Sequence, residues 1–272
     1  MTTAVRYLRL FGIFAQTCLV RELSFRVNFF ARIATNVGWL FLMVLFFQLI
    51  YGNTERVGDW GRWQYLFFMG TGMILNGVLE TVFVGNCSNM AELIRTGDLD
   101  LHLARPVDEQ FLLSCRNIDW SEIFNVFVGL GLCGVSLVWT HERPTWDRIL
   151  LFGVTLSASV AILYSLLIVL AASSVWLVRN QALYEMWWYV AQFGRYPGEI
   201  YKGSALALGM RILLTFVLPV LLAINIPARQ GFADKERNAW LIVYLFFAAA
   251  ATLTLSRMFF KRALRSYRSA SS

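Results

Sequence analysis

The run LIRTGDLDLHLARPVDEQF, Leu93–Phe111, is the longest polar interruption in a chain otherwise dominated by apolar stretches. Two apolar runs long enough to cross a bilayer precede it and four follow. Asn89 and Glu92 stand three apart, the spacing of an N-cap and its capping-box partner, which predicts a short helix running to Arg95–Thr96. Gly97 supplies the left-handed residue that ends such a helix. Leu99, Leu101 and Leu103 then alternate with Asp98, Asp100 and His102, and Arg105–Pro106 forbids a continuing helix. Asp108 is placed to cap the helix that re-enters the membrane. A capped, part-apolar element at the end of two membrane helices is a candidate docking surface; the same residues also allow an ordinary interfacial connection.

Of 272 residues, 58% are hydrophobic and 15% charged, where a soluble domain averages about 45–50% apolar and about 25% charged. The expected fold class is therefore an all-α integral membrane protein. A net charge of +7 raises nucleic acid as a partner, but the basic residues lie beside apolar runs. They read instead as topology signals and contacts to anionic membrane lipid, with no nucleic acid expected.

Six segments qualify as spans: Ile33–Tyr51, Trp63–Asn86, Ile118–Thr140, Ile149–Val178, Met210–Ile226 and Ala239–Phe260. The fourth is long enough to tilt or project, and Pro219 should kink the fifth. Residues 1–32 carry Arg6, Arg9, Arg21, Arg26 and Arg32 among apolar positions, the pattern of an amphipathic elbow helix in the headgroup plane. Five arginines at depth would each cost about 2.5–3.5 kcal/mol, which disfavours spanning. The N-terminal run lacks a small-residue cleavage site, so no cleavage is expected there. Of 24 Lys and Arg, 17 fall on the side of the termini, which places both termini, the 89–117 loop and the aromatic 179–209 segment in the cytoplasm. Residues 261–272 form a cytoplasmic tail.

The chain carries no phosphate-binding loop, HExxH or GxSxG. The four cysteines lack metal-ligand spacing and are expected as free thiols, and the two histidines fall on opposite membrane faces. No metal or cofactor is expected. Within the spans the main ionisable residue is Glu80, one turn after Asn76. The pair is either a hydrated or helix-paired structural group or a contact to substrate in the pathway. An amphipathic cation is the ligand chemistry that aromatic surroundings and a lone carboxylate would suit. Arg211 and Arg257 are expected to snorkel at span ends. Glycines at 70, 72, 77, 129, 131 and 134 suggest close helix packing.

LIRTGDLDLHLARPVDEQFLLSCR resembles the segment after span two in permeases of ABC-2 type transporters. A branch of small six-span permeases has the pattern I-R-x-G-x-L-D-x-x-L-x-(K/R)-P, which falls here on Ile94, Arg95, Gly97, Leu99, Asp100, Leu103, Arg105 and Pro106. A second block, residues 193–229, resembles the same branch through span five, and elbow, span number and orientation agree. His102 departs from the pattern, where a more apolar residue is expected.

The resemblance implies a non-catalytic transport subunit of a bacterial plasma membrane, with both termini cytoplasmic and no cofactor. A second permease subunit, the same or a related chain, would complete the pathway, and two ABC ATPase subunits would dock beneath. Export is the direction implied. The docking and coupling set is then Arg95, Gly97, Asp98, Leu99, Asp100, Leu103, Arg105 and Pro106. Leu99 and Leu103 would fill an apolar groove on the ATPase, and Asp100 and Arg105 would hold the turn or pair across the contact. The alternative is an ATP-independent carrier or channel, which favours intramembrane ion pairs or an inverted repeat. Beyond Glu80 the sequence shows neither.

Overall fold

The computed structural model describes residues 3–57, 59–177, 203–232 and 239–267, together with a few positions between 187 and 198. Trp188, Arg195, Tyr201 and Lys202 of the aromatic segment lie outside the described residues, as do Lys235, Arg237 and residues 268–272.

The described residues are helical almost throughout. Helix α1 (Thr3–Ser24) ends at Phe25, whose backbone leaves the helical region (φ −106°, ψ 57°), and α2 (Arg26–Asn53) follows at once. Residues 1–32, expected as one elbow, are thus divided between two helices at Phe25. Arg26 and Arg32 belong to the same 28-residue helix as the first span. At 1.5 Å per residue that helix is about 42 Å long, against about 30 Å of hydrocarbon, so its basic first turns have room to lie in the headgroups.

A two-stranded hairpin, β1 (Arg56–Val57) and β2 (Trp60–Gly61), pairs Val57 with Trp60. Trp60 is fully buried against Phe68, its ring centroid 5.2 Å away. Helix α3 (Arg62–Leu79) continues through a π-helical turn, Glu80–Val84, and on to Ser88. Three short helices follow, α4 (Met90–Thr96), α5 (Leu99–Leu103) and α6 (Glu109–Cys115). A 3-10 turn at Trp120–Glu122 leads into α7 (Ile123–Trp139), and α8 (Trp146–Ser173) returns.

The fifth apolar run is broken, not merely kinked. Helix α9 (Ala205–Ile212) runs into a π turn, Leu213–Val217, and α10 (Val220–Arg229) departs at 82°. Pro219 has no amide hydrogen to continue the ladder, and Leu218 before it is forced toward extended backbone (φ −114°, ψ 82°). The two halves differ in burial: no residue of α9 is buried, whereas eight of the ten in α10 are. Helix α11 (Ala239–Ser266) closes the bundle. Among the described residues, five helices are long and apolar enough to cross a membrane, and counting the bent pair as one span makes six.

Helix α3 is central. Its apolar stretch is 61% buried, against 6% for α2. It lies along α7, and α8 lies along α11, with α10 packed against α8 and α3. The α3–α7 contact is set by glycine. A Cβ on Gly129 would sit 2.6 Å from the carbonyl oxygen of Gly70, and one on Gly70 would sit 2.7 Å from that of Gly129. Gly77 similarly faces Val126, whereas Gly72, Gly131 and Gly134 meet nothing within 4 Å. Three of the six glycines thus serve close approach. Four hydroxyls inside the bundle are satisfied locally: Thr71, Thr155, Ser159 and Ser165 donate to carbonyls four residues back. Ser136 instead donates across to the Trp63 carbonyl at 2.7 Å, tying α7 to α3.

Because the Gly70–Gly129 crossing is backbone on backbone, Gly129→Ala should destabilise the bundle by about 1–3 kcal/mol through overpacking. Gly131→Ala, directed into open space, should leave it unchanged. Thermal unfolding of the two solubilised variants, followed by size-exclusion recovery, distinguishes them; equal losses would refute the close-packed crossing.

Candidate functional site

The loop between α3 and α7 is a folded unit. Gly97 adopts φ 80°, the left-handed region, and its amide donates to the Ile94 carbonyl at 3.3 Å, ending α4. The expected capping box at its other end does not form. Asn89 is itself helical (φ −76°, ψ −9°), so its side chain makes no cap bond. Glu92 pairs instead with Arg95, at 2.5 Å and 2.9 Å.

The alternation of residues 98–103 is not realised as an extended strand, because five residues coil into α5. A helix sends positions 99 and 102–103 to one side. Leu99 and His102 are buried and Leu103 half-buried, while Leu101 is 66% exposed. Leu99 therefore packs into the protein's own core, not into a groove on another chain as expected, and the exposed leucine of α5 is Leu101. Of the other candidate docking residues, Arg95, Asp98, Arg105 and Pro106 are exposed, and Gly97 and Asp100 are partly so. Asp100 lies beside Tyr267, just past the end of α11.

Asp108 caps α6, accepting from the Phe111 amide at 3.0 Å. Its carboxylate also takes both guanidinium nitrogens of Arg257 from α11, one of them at 3.0 Å. Arg257 does not snorkel as a lone cation. It donates to Gln110 as well, at 3.0 Å, and Gln110 donates to the Tyr164 hydroxyl of α8 at 2.9 Å. Ser114 shares that hydroxyl at 2.9 Å. Burial pushes the Asp108 carboxyl up, but Arg257 and the Phe111 amide outweigh it and hold the group below the usual carboxylate range. The pair is therefore intact above the ordinary carboxylate pKa, and is lost only as pH falls through that lowered value.

Helix α1 is stitched along the same loop. Arg6 donates to the Pro106 carbonyl at 3.0 Å, and the Tyr7 hydroxyl accepts from the Asp108 amide at 3.1 Å. The Tyr7 ring meets Phe111 edge-on at 4.9 Å. Further along, the Cys18 thiol donates to the Arg116 carbonyl and accepts from the Ile118 amide. Glu22 accepts from the Trp120 amide, and the Trp120 indole donates to the Ala15 carbonyl at 2.9 Å. Burial raises the Glu22 carboxyl above its usual range despite that amide. Arg32 of α2 pairs with Asp119.

Asn76 and Glu80 sit one turn apart where α3 passes into its π turn, both half-buried. Asp119 and Glu122 lie close enough to Glu80 to act on it electrostatically. The Asp119 amide donates to the Thr81 carbonyl at 2.9 Å, and Asn86 exchanges hydrogen bonds with the Asn117 backbone. Glu80 thus adjoins the loop's far end instead of standing alone. Asn36 and Asn125 both donate to Glu122.

A family model described as "ABC-2 family transporter protein" matches residues 37–271. The chain belongs to the ABC-2 transporter family. None of the curated proteins is similar to it. As an ABC-2 protein it is a membrane permease of ABC transporters. The match begins within α2, so α1 lies before the matched region although its hydrogen bonds fasten it to the loop. Sequence reasoning missed this stitching, the Arg257 contact and Tyr164; each is a long-range pairing with no spacing signal.

Arg257→Gln should destabilise the permease by about 1.5–3 kcal/mol, the worth of hydrogen bonds to a charged group. In an Asp108→Asn background the same change should cost far less. Thermal midpoints of the four proteins at pH 7 give the coupling, and additive losses would show that the pair carries no weight.

Proposed function

We propose that the chain is the non-catalytic permease subunit of an ABC exporter, with separate ABC ATPase subunits docking on the folded 89–117 loop. A second permease subunit, the same or a related chain, completes the pathway in the bilayer. Both termini and this loop face the cytoplasm of a bacterial plasma membrane, the orientation that 17 of 24 basic residues favour. The observation that carries the reading is the divided face of α5. Leu99 and His102 anchor the helix inward, and Leu101 stands exposed among Asp98, Arg105 and Pro106. An exposed leucine on a helix anchored by its opposite face is a knob suited to a groove on a partner. Arg95, Asp98 and Arg105 would form the polar rim, Gly97 and Pro106 would fix the turns, and Asp100 and Leu103 would support α5 from within.

Closure of the ATPases on ATP then moves the loop as a body. Asp108–Arg257 passes the motion to α11, Gln110–Tyr164 passes it to α8, and chain continuity passes it to α3 and α7. Switching between inward and outward access is rigid-body motion, with coupling set by the contacts made in each state. Asn76 and Glu80 lie where that motion enters the bundle, and are the proposed contact to substrate.

Burying one leucine at such a contact is worth about 1.5–3 kcal/mol, so Leu101→Asp should weaken ATPase docking at least about tenfold. The permease would remain folded. Leu99→Asp should unfold the loop instead. Co-purification of the tagged permease with its ATPase reads the difference, and an undiminished complex with Leu101→Asp would overturn the docking assignment. In intact cells an impermeant thiol reagent should label a cysteine at Asn53 and not one at Leu101; the reverse would invert the orientation.

A further inference from the structure

Helix α5 is held in place by a histidine in an unusual setting. His102 is 5% exposed, and its Nε2 lies 2.7 Å from Nη1 of Arg116. A guanidinium can only donate, so Nε2 must be the acceptor and the ring proton sits on Nδ1. That Nδ1 is buried without a hydrogen-bond partner. The seated position of α5 is therefore compatible with the neutral imidazole alone. A second proton on Nε2 would set N–H against N–H and add a cation beside Arg116.

The charges around the ring reinforce this. Arg116 acts from the end of α6 and Arg105 from the turn after α5, while Asp98, at the junction with α4, is the carboxylate among the described residues that favours a charged ring. Glu92 and Arg95 of α4 pair with each other and face solvent, and Asp100 on α5 lies beside Tyr267 of the C-terminal segment. Burial, Arg116 and Arg105 together hold the imidazole below its ordinary range.

We propose that His102 and Arg116 form an acid-sensitive latch that positions α5: seated while His102 is neutral, released when it takes a second proton. The opposite face of the same short helix carries Leu101, so the latch also sets how the loop presents that residue. This last consequence rests on the reading of the loop as the ATPase contact; the latch itself is a property of this chain alone.

The direction follows from linkage. Unseated, His102 meets water and titrates near its ordinary value of about 6.5. Seated, it titrates lower. Between the two values the unseated form binds more protons, so seating is complete above about pH 7 and weakens as pH falls through about 6.5. From pH 7.5 to pH 5.5 the seating equilibrium should fall by up to about tenfold.

The test uses the full chain in lipid nanodiscs without any ATPase, so its failure is separable from failure of the docking assignment. Amide hydrogen exchange over residues 98–106, corrected for the intrinsic pH dependence, should lose protection by several-fold at pH 5.5, while the α3–α7 core does not change. His102→Gln should abolish that difference. Equal protection of the native loop at both pH values, or an undiminished loss in His102→Gln, would overturn the latch. The chain has only two histidines, so ring-carbon NMR of histidine-labelled protein, with His141→Asn for assignment, gives a reading that needs no variant at 102. His102 titrating below about 6.5 supports the latch, and a value at or above it overturns the proposal.

Discussion

The carboxylate of Asp108 joins the loop to the last long helix. It terminates the exposed amides at the start of α6, and it receives Arg257 from the middle of α11, 149 residues away in sequence. Without its pair to Arg257 the loop would keep its chain connectivity, its bonds to α1 and the core packing of Leu99. With it, and with Gln110 reaching Tyr164, the loop is bonded to α8 and α11 as well. The loop is thus joined to four of the long helices by chain and by hydrogen bond, the connection that the proposed transmission of ATPase movement requires.

The proposed transmission through the loop needs a stiff bundle to act on. Gly70 and Gly129 bring α3 and α7 to backbone contact, and the hydroxyl of Ser136 bonds across the same interface. Dispersion and these few hydrogen bonds hold helices together in lipid, where burial of apolar surface between helices supplies little drive. The first span contributes little to this core, since its apolar stretch is only 6% buried. Helix α1, before it, is tied to the loop by polar contacts. The first two helices thus divide into one tied to the loop and one whose apolar surface lies open.

Much of this was legible in the sequence because the signals are local. Gly97 ends a helix where a left-handed residue is needed, Asp108 caps the next, and Pro219 breaks the fifth apolar run. Where local signals misled, the cause is tertiary. Asn89 and Glu92 have capping-box spacing, yet Asn89 stays helical as the chain turns from α3 into α4, and Glu92 finds Arg95. The alternation of leucines at 99, 101 and 103 reads as period two, but a five-residue helix reassigns which leucine faces out. Arg257 reads as a cation bound for the interface, because nothing in its neighbourhood announces Asp108. The family match supports the membrane permease reading, and the divided face of α5 supplies the residue-level account that spacing alone did not.

The most direct measurement of the docking surface is photocrosslinking from single positions of α5 in a transporting complex of permease and ATPase. A photoreactive residue at 101 should form an adduct with the ATPase, while the same residue at 103, on the half-buried side, should crosslink only within the permease. No ATPase adduct from 101, in a complex that still transports, would contradict the account.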